Sequence, residues 1–202
     1  GKGDLYERRR GAGHGGRGGG PGTYGDAGGG LVYGNTNAPT LPGSGGCGDG
    51  SFANAYLGVS GYGGGLIRLE ARDTVFVDGA ITANGGKILP AQVGGGSGGA
   101  IFIACRAFTG TGLLSAMVAN SAATTGGAGG GRIAVWKQVS ATAGTALLAG
   151  AGVVPGVVIA EGPLDTFTGA VVVDGGTGYN PGDAGTIRYL DGRPRGTVLL
   201  LR

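Results

Sequence analysis

Three stretches of the chain share one pattern. Gly63-Gly-Gly-Leu-Ile-Arg-Leu-Glu70 leads to Val75-Phe-Val-Asp-Gly-Ala-Ile-Thr-Ala-Asn-Gly-Gly86; Ser97-Gly-Gly-Ala-Ile-Phe-Ile-Ala104 leads to Phe108-Thr-Gly-Thr-Gly-Leu-Leu-Ser-Ala-Met-Val118; Gly129-Gly-Gly-Arg-Ile-Ala-Val-Trp136 begins a third copy. Ile67, Ile101 and Ile133 are equivalent, at separations of 34 and 32 residues, while Gly79 and Gly112, like Ile81 and Leu114, lie 33 apart. Periods of about 20–50 residues mark stacked units, none of which buries a face alone. In Leu66-Ile67-Arg68-Leu69-Glu70 the charges at Arg68 and Glu70 fall on one face and Ile67 and Leu69 on the other, the alternation of a strand. Phe76 alternates with Val75 and Val77, and Asp78-Gly79 supplies a turn. Short strands on a fixed period, with no helical pattern between them, predict an all-β chain: a glycine-rich parallel β-helix, or β-solenoid, over residues 61–160. Equivalent residues then stack one rung, about 4.8 Å, apart.

The rest of the composition agrees. Of 202 residues 53 are Gly, roughly fourfold the ordinary usage. Gly weakens a helix interior by about 1 kcal/mol, which excludes helical bundles and doubly wound α/β domains. Collagen is excluded because the glycines keep no three-residue period and only 8 prolines occur. A disordered linker is excluded by 41% hydrophobic and 13% charged residues. Ahead of the repeats lie a charged arm, 1–10, and a glycine-rich segment, 11–60, with 18 glycines between positions 11 and 50. This segment is expected to run extended, polyglycine-like, its backbones hydrogen-bonded to one another because no side chain separates them. The charge-free stretch Gln138–Ala160 contains Pro155 and several glycines, so it reads as two short buried strands, around Ala146–Leu148 and Val153–Ile159, and not as a membrane span. A small β segment, 161–202, carries strands at Phe167–Asp174, Thr186–Leu190 and a terminal apolar run, Thr197-Val198-Leu199-Leu200-Leu201. An uncovered apolar edge of this kind is a candidate subunit contact by strand addition.

No residue set names a reaction. The net charge of +3 sits in residues 1–17, where Lys2, Arg8, Arg9, Arg10 and Arg17 outnumber Asp4 and Glu7. This is a solvated or subunit-pairing arm and not a basic face with interleaved aromatics, so nucleic acid is not an expected partner. Arg68, Arg72, Asp73, Asp78 and Arg106 are the one grouping resembling the carboxylate and arginine sets of polysaccharide-cleaving β-helices, and surface ion pairs explain them equally well. Gly175-Gly176-Thr177-Gly178-Tyr179-Asn180 matches a calcium nonapeptide once, with Asn for Asp, which does not make a tandem site. His14 lies between glycines without a Ser or Cys partner, as a solvated or chain-packing residue. Cys47 and Cys105 permit one disulfide, or stand as two buried thiols; an extracellular setting favours the disulfide.

The succession Gly-Gly-Gly-x-Ile-x-Leu, Val-x-Val-Asp-Gly-x-Ile-x-Ala-Asn-Gly-Gly and Gly-Gly-Gly-Arg-Ile-Ala-Val resembles the glycine-rich β-helix repeats of large bacterial surface and secreted proteins of the adhesin type. The likeness covers 43–137 and, loosely, Gly185-Thr186-Ile187; it is lost at Met117-Val118-Ala119-Asn120, where the second copy lacks the Asn-Gly-Gly of the first. The glycine-rich 11–60 segment is similar to the polyglycine bundles of glycine-rich antifreeze proteins and some phage adhesin tips. The resemblance implies an extracellular or cell-surface parallel β-helix of structural or adhesive use, with no catalytic motif to carry over; the residues themselves call for no cofactor, calcium being the one metal the single Gly175–Asn180 match leaves open. A solenoid has two open ends that stack unless capped. The expected function is therefore a structural subunit of an extracellular filament, fibre or sheath, self-assembling head to tail with copies of itself through solenoid ends and the terminal strand. The alternative is a carbohydrate-binding adhesin module of a larger surface protein, with surface glycans as partner.

Overall fold

The structure, a computed structural model, describes residues 9–22, 28–48, 60–86, 93–121, 123–160, 162 and 166–192. Three strands follow the first glycine run: β1 (Leu66–Glu70), β2 (Thr74–Phe76) and β3 (Ala80–Thr82). The second copy repeats them as β4 (Ala100–Cys105), β5 (Ala107–Thr109) and β6 (Leu113–Ser115). Then come β7 (Arg132–Lys137), a helix α1 (Ala141–Leu148), β8 (Val158–Ala160), β9 (Ala170–Val172) and β10 (Thr186–Asp191). Among the described residues the chain is mostly β with one short helix, and its strands form three sheets dominated by parallel pairing.

The large sheet has the order β1-β4-β7-β10-β8, with the first four strands parallel and β8 antiparallel to β10. The second sheet pairs β2 with β5, and the third runs β3-β6-β9. The first two copies each contribute one strand to each sheet in turn. The isoleucine ladder read from the sequence is present: Ile67 lies opposite Ile101, Ile101 opposite Ile133, and Ile133 opposite Ile187. Ile81, Leu114 and Val171 form a second ladder in the third sheet, and Val75 pairs with Phe108 in the second. β9 and β10, from the 161–202 segment, extend the third and the large sheet.

The core lies between these sheets. Ile101, Ile103, Ile133 and Val135 from the large sheet meet Phe108 and Leu114 from the other two, all fully buried. The Phe108 and Phe167 rings stack with centroids 4.5 Å apart. On the other side of the large sheet, Phe102, Trp136 and Leu190 are covered by Ala143 and Leu147 of α1 and by Ala38. The Trp136 indole donates to the Asn37 carbonyl at 2.6 Å, and Asn35 Nδ2 donates to the Leu147 carbonyl at 2.6 Å, tying the 35–38 turn over helix and sheet.

The Gln138–Ala160 stretch departs from expectation. Where a strand was expected at Ala146–Leu148 there is a helix, capped by Ser140, whose hydroxyl accepts from Ala143 N at 3.2 Å. Ala143 and Leu147, four residues apart, form its sheet-facing stripe, and Gly144 lets it sit against the Trp136 ring. The second expected strand shrinks to β8, and Val153 is 85% exposed. The terminal run Thr197–Leu201 and the arm 1–8 lie outside the described residues.

Candidate functional site

Glycine-rich segments precede the four parallel strands of the large sheet, and residues 9–22 and 28–47 lie among them. Gly11 donates to Gly19, Gly18 to Gly30, Gly19 to Gly127, and Gly15 and Gly16 both to Gly130, at 2.7–3.1 Å. On the other side of the runs, Gly43 donates to Gly64, Gly46 to Gly61, Gly61 to Gly94, and Gly94 to Cys47. These runs are neither helix nor strand, yet their backbones are paired in several directions. The requirement for Gly is space: a Cβ on Gly130 would fall 1.8 Å from the Val173 oxygen, and one on Gly94 1.9 Å from the Arg10 oxygen. Within the segment itself the glycine backbones bond at Gly11 to Gly19, Gly18 to Gly30, Gly29 to Gly18 and Gly30 to Gly11; the other bonds tie it to the runs of the repeats.

Into this bundle His14 inserts, fully buried. Its Nδ1 lies 2.8 Å from the Gly98 oxygen, its ring sits 4.8 Å from that of Tyr33, and its Nε2 has no hydrogen-bond partner. The guanidinium of Arg132 joins the cluster, donating from Nε to the Tyr33 carbonyl at 2.9 Å, from NH1 to Thr186 Oγ1 at 3.0 Å and from NH2 to the His14 carbonyl at 3.3 Å. Burial, reinforced by the Arg132 charge, holds the His14 pKa below its ordinary value, so the ring sits neutral. Burial likewise pushes the Tyr33 phenol up and the Arg132 guanidinium down. His14 is a packing residue.

The charged grouping singled out in the sequence is distributed among corners. Arg106 donates from Nε and NH2 to Asp73 Oδ1, at 2.9 and 2.6 Å, across a 33-residue separation. Asp78 Oδ1 accepts from both N and Oγ1 of Thr111 at 3.0 Å, again 33 residues on. Asn84 Oδ1 accepts from Ser115 Oγ at 2.7 Å and from Met117 N at 3.1 Å. Each clamp joins one copy to the next at the repeat period, a signal present in the sequence and missed there. Arg68 pairs instead within its strand, with Glu70 at 2.5 Å, and lies 4.9 Å over the Phe102 ring. Exposed pairs of this kind each contribute about 0–1 kcal/mol; their use is register. The departure at Met117–Asn120 is bridged similarly, since Asn120 Oδ1 accepts from Thr177 N at 3.3 Å and Val118 bridges Gly85. Gly175–Asn180 serves packing: the Asn180 carbonyl accepts from Gly127 N, and its side-chain amide donates to the Gly20 oxygen.

No Cys47–Cys105 disulfide is present. Cys47 is anchored beside Gly94 and Arg10, at the start of the glycine run that leads into β4, while Cys105 ends β4. Ala100–Cys105 alone spans roughly 17 Å at the strand rise, well beyond the ~7 Å limit between bridged Cα atoms. Burial pushes the Cys105 thiol up. Beside it opens a cleft of about 570 Å³ lined by Glu70, Arg72, Arg106, Trp136 and Gln138. Tyr189, in the core under β10, has its phenol pushed up to about 12 by burial alone.

The two ends of the sheets differ. At one, among the described residues, β1, β2 and β3 are all edge strands, with Leu66, Phe76 and Tyr62 exposed beside them. At the other, β8 covers β10 in antiparallel register, Ala160 opposite Tyr189, Ile159 opposite Leu190 and Val158 opposite Asp191. Among the described residues no helix is long and apolar enough to cross a membrane. Comparison with known protein families, with characterised proteins and with solved structures finds no match.

Proposed function

We propose that the chain is a parallel β-solenoid that serves as a structural module of an extracellular or cell-surface assembly, not an enzyme, and that it joins other molecules through an open end of its coil. The observation that carries this reading is the coincidence of three strands, β1, β2 and β3, that among the described residues are left as edges at one end of the repeats. Unpaired strand edges are templates for further pairing. The in-register ladders at separations near 33 support the solenoid reading. Of the acidic and basic side chains nearest to a catalytic set, Asp73, Asp78 and Arg106 are engaged in clamps between copies and Arg68 pairs within β1.

Head-to-tail growth through the large sheet meets an obstacle at its far end. β8 occupies the outer edge of β10 over Tyr189–Asp191, where an incoming parallel strand would pair. The β1 end is thus the better surface for assembly. Light scattering and electron microscopy of the full chain test the reading: discrete oligomers or fibres are expected, and a monodisperse monomer at micromolar concentration overturns it.

The cleft beside Cys105, with arginines, a carboxylate and Trp136 around it, favours as a second reading the carbohydrate-binding adhesin module. Glycan-array binding lost on Arg106→Ala, with the fold retained, would establish that reading.

A further inference from the structure

The open end carries a symmetry that the other end lacks. In β1 the bonds Ala100 N to Gly65 O and Ala71 N to Ala104 O assign odd-numbered backbone groups to β4, so those of Leu66, Arg68 and Glu70 face outward. The same parity holds in β2 and β3, where Val77 N donates to Thr109 O and Ala83 N to Ser115 O, leaving Thr74, Phe76, Ala80 and Thr82 facing outward. The first coil is itself a flattened loop: Gly86 N donates to Tyr62 O, so the run before β1 lies along the run after β3, and β2, centred on Val75, lies midway between the bends at Arg72–Asp73 and Asp78–Gly79.

We propose that two copies of this chain join through these ends about a two-fold axis at Val75, β1 of each pairing antiparallel with β3 of the other and β2 with β2. This rests on the reading that the chain assembles through an open coil end. One register satisfies backbone, packing and charge together. Outward backbone groups meet outward ones, as Thr74 opposite Phe76, and core-facing side chains meet core-facing ones, as Leu69 opposite Ile81. At the corners Arg72 falls opposite Asp78, twice by symmetry, and both are exposed. A slip by two residues one way brings Glu70 against Asp78, like charge on like, and a slip the other way sets Arg72 opposite Ala80 and loses its pair. Head-to-tail docking in coil register would set Arg68 beside Arg188, which pairs in line with it through Phe102 and Ala134. Such opposed charges select against the wrong register, and the matched patch is isologous, closing at a dimer.

The test uses the full chain. Light scattering is expected to give twice the monomer mass. Thr74→Cys chains mixed with Phe76→Cys chains are expected to cross-link under mild oxidation, above either variant alone. Arg72→Glu is expected to weaken the dimer by about tenfold or more while its thermal midpoint as a monomer stays that of the parent. A dimer that fails to cross-link in the mixture, or that is indifferent to Arg72→Glu, overturns the two-fold. Fibres or larger open oligomers overturn it too but leave the assembly reading standing, whereas a monomer removes both.

Discussion

At the scale of single residues, this protein inverts the usual ranking of sensitive positions. Gly130 is held between the Val173 oxygen and the Gly185 nitrogen, 1.8 and 2.5 Å from where a Cβ would sit, and both neighbours are backbone. Gly130→Ala must displace a glycine run, and a loss of about 2–4 kcal/mol is expected in urea denaturation. Gly65 and Gly79 have nothing within 4 Å of a Cβ. Gly65→Ala and Gly79→Ala are expected to be neutral or to stabilise by about 0.4–1 kcal/mol, through the unfolded chain. His14 offers a second residue-scale expectation. Its folded pKa is held below the model-peptide value of 6.5, so the unfolded state binds the proton more readily. Its contribution to stability is full above that value and is lost as pH falls through the folded one. Urea midpoints should decline as pH is lowered from 8 towards 5, and His14→Gln should flatten that part of the profile. A decline unchanged in the variant would assign it to other groups.

At the scale of elements, legibility followed repetition. Ile67, Ile101 and Ile133 were readable as one ladder because each sits at the same place after a glycine run, and the strands around them form as expected. The fourth rung, Ile187, was only loosely visible, since α1 and β8 lengthen the interval from Ile133 to 54 residues. α1 escaped because Ala141-Thr-Ala-Gly-Thr-Ala-Leu-Leu148 contains a glycine and two threonines, and its stripe is only Ala143 and Leu147. The clamps Asp73–Arg106 and Asp78–Thr111 were legible in principle, for polar residues repeat at 33 as the apolar ones do. Partners within the glycine bundle were not, because a residue without a side chain encodes no preference among neighbours. Nor does an antiparallel strand such as β8 follow from a parallel repeat. Its role as a stop is testable: replacing both Val158 and Ala160 by Pro removes donors opposite Asp191 and Tyr189. Species larger than the parent are then expected in sizing experiments, because the β10 edge is uncovered.

At the scale of the whole molecule, the segment 9–20 is placed by residues far along the chain. Gly126 N donates to Arg9 O, Gly129 N to Ala12 O, and Asp183 N to Arg17 O. Much of its lodging is thus built from residues synthesised more than a hundred positions later. The 9–20 stretch is synthesised well before the residues that seat it, and closing such distant contacts slows folding. Chains arrested before Asp183 are expected to remain open to protease cleavage near Arg17, and released full-length chains to gain protection there late, after the isoleucine ladder has set. Folding of this protein would therefore be timed by the making of Asp183 and β10, and a partner able to hold the unseated 9–20 segment until then would govern its yield.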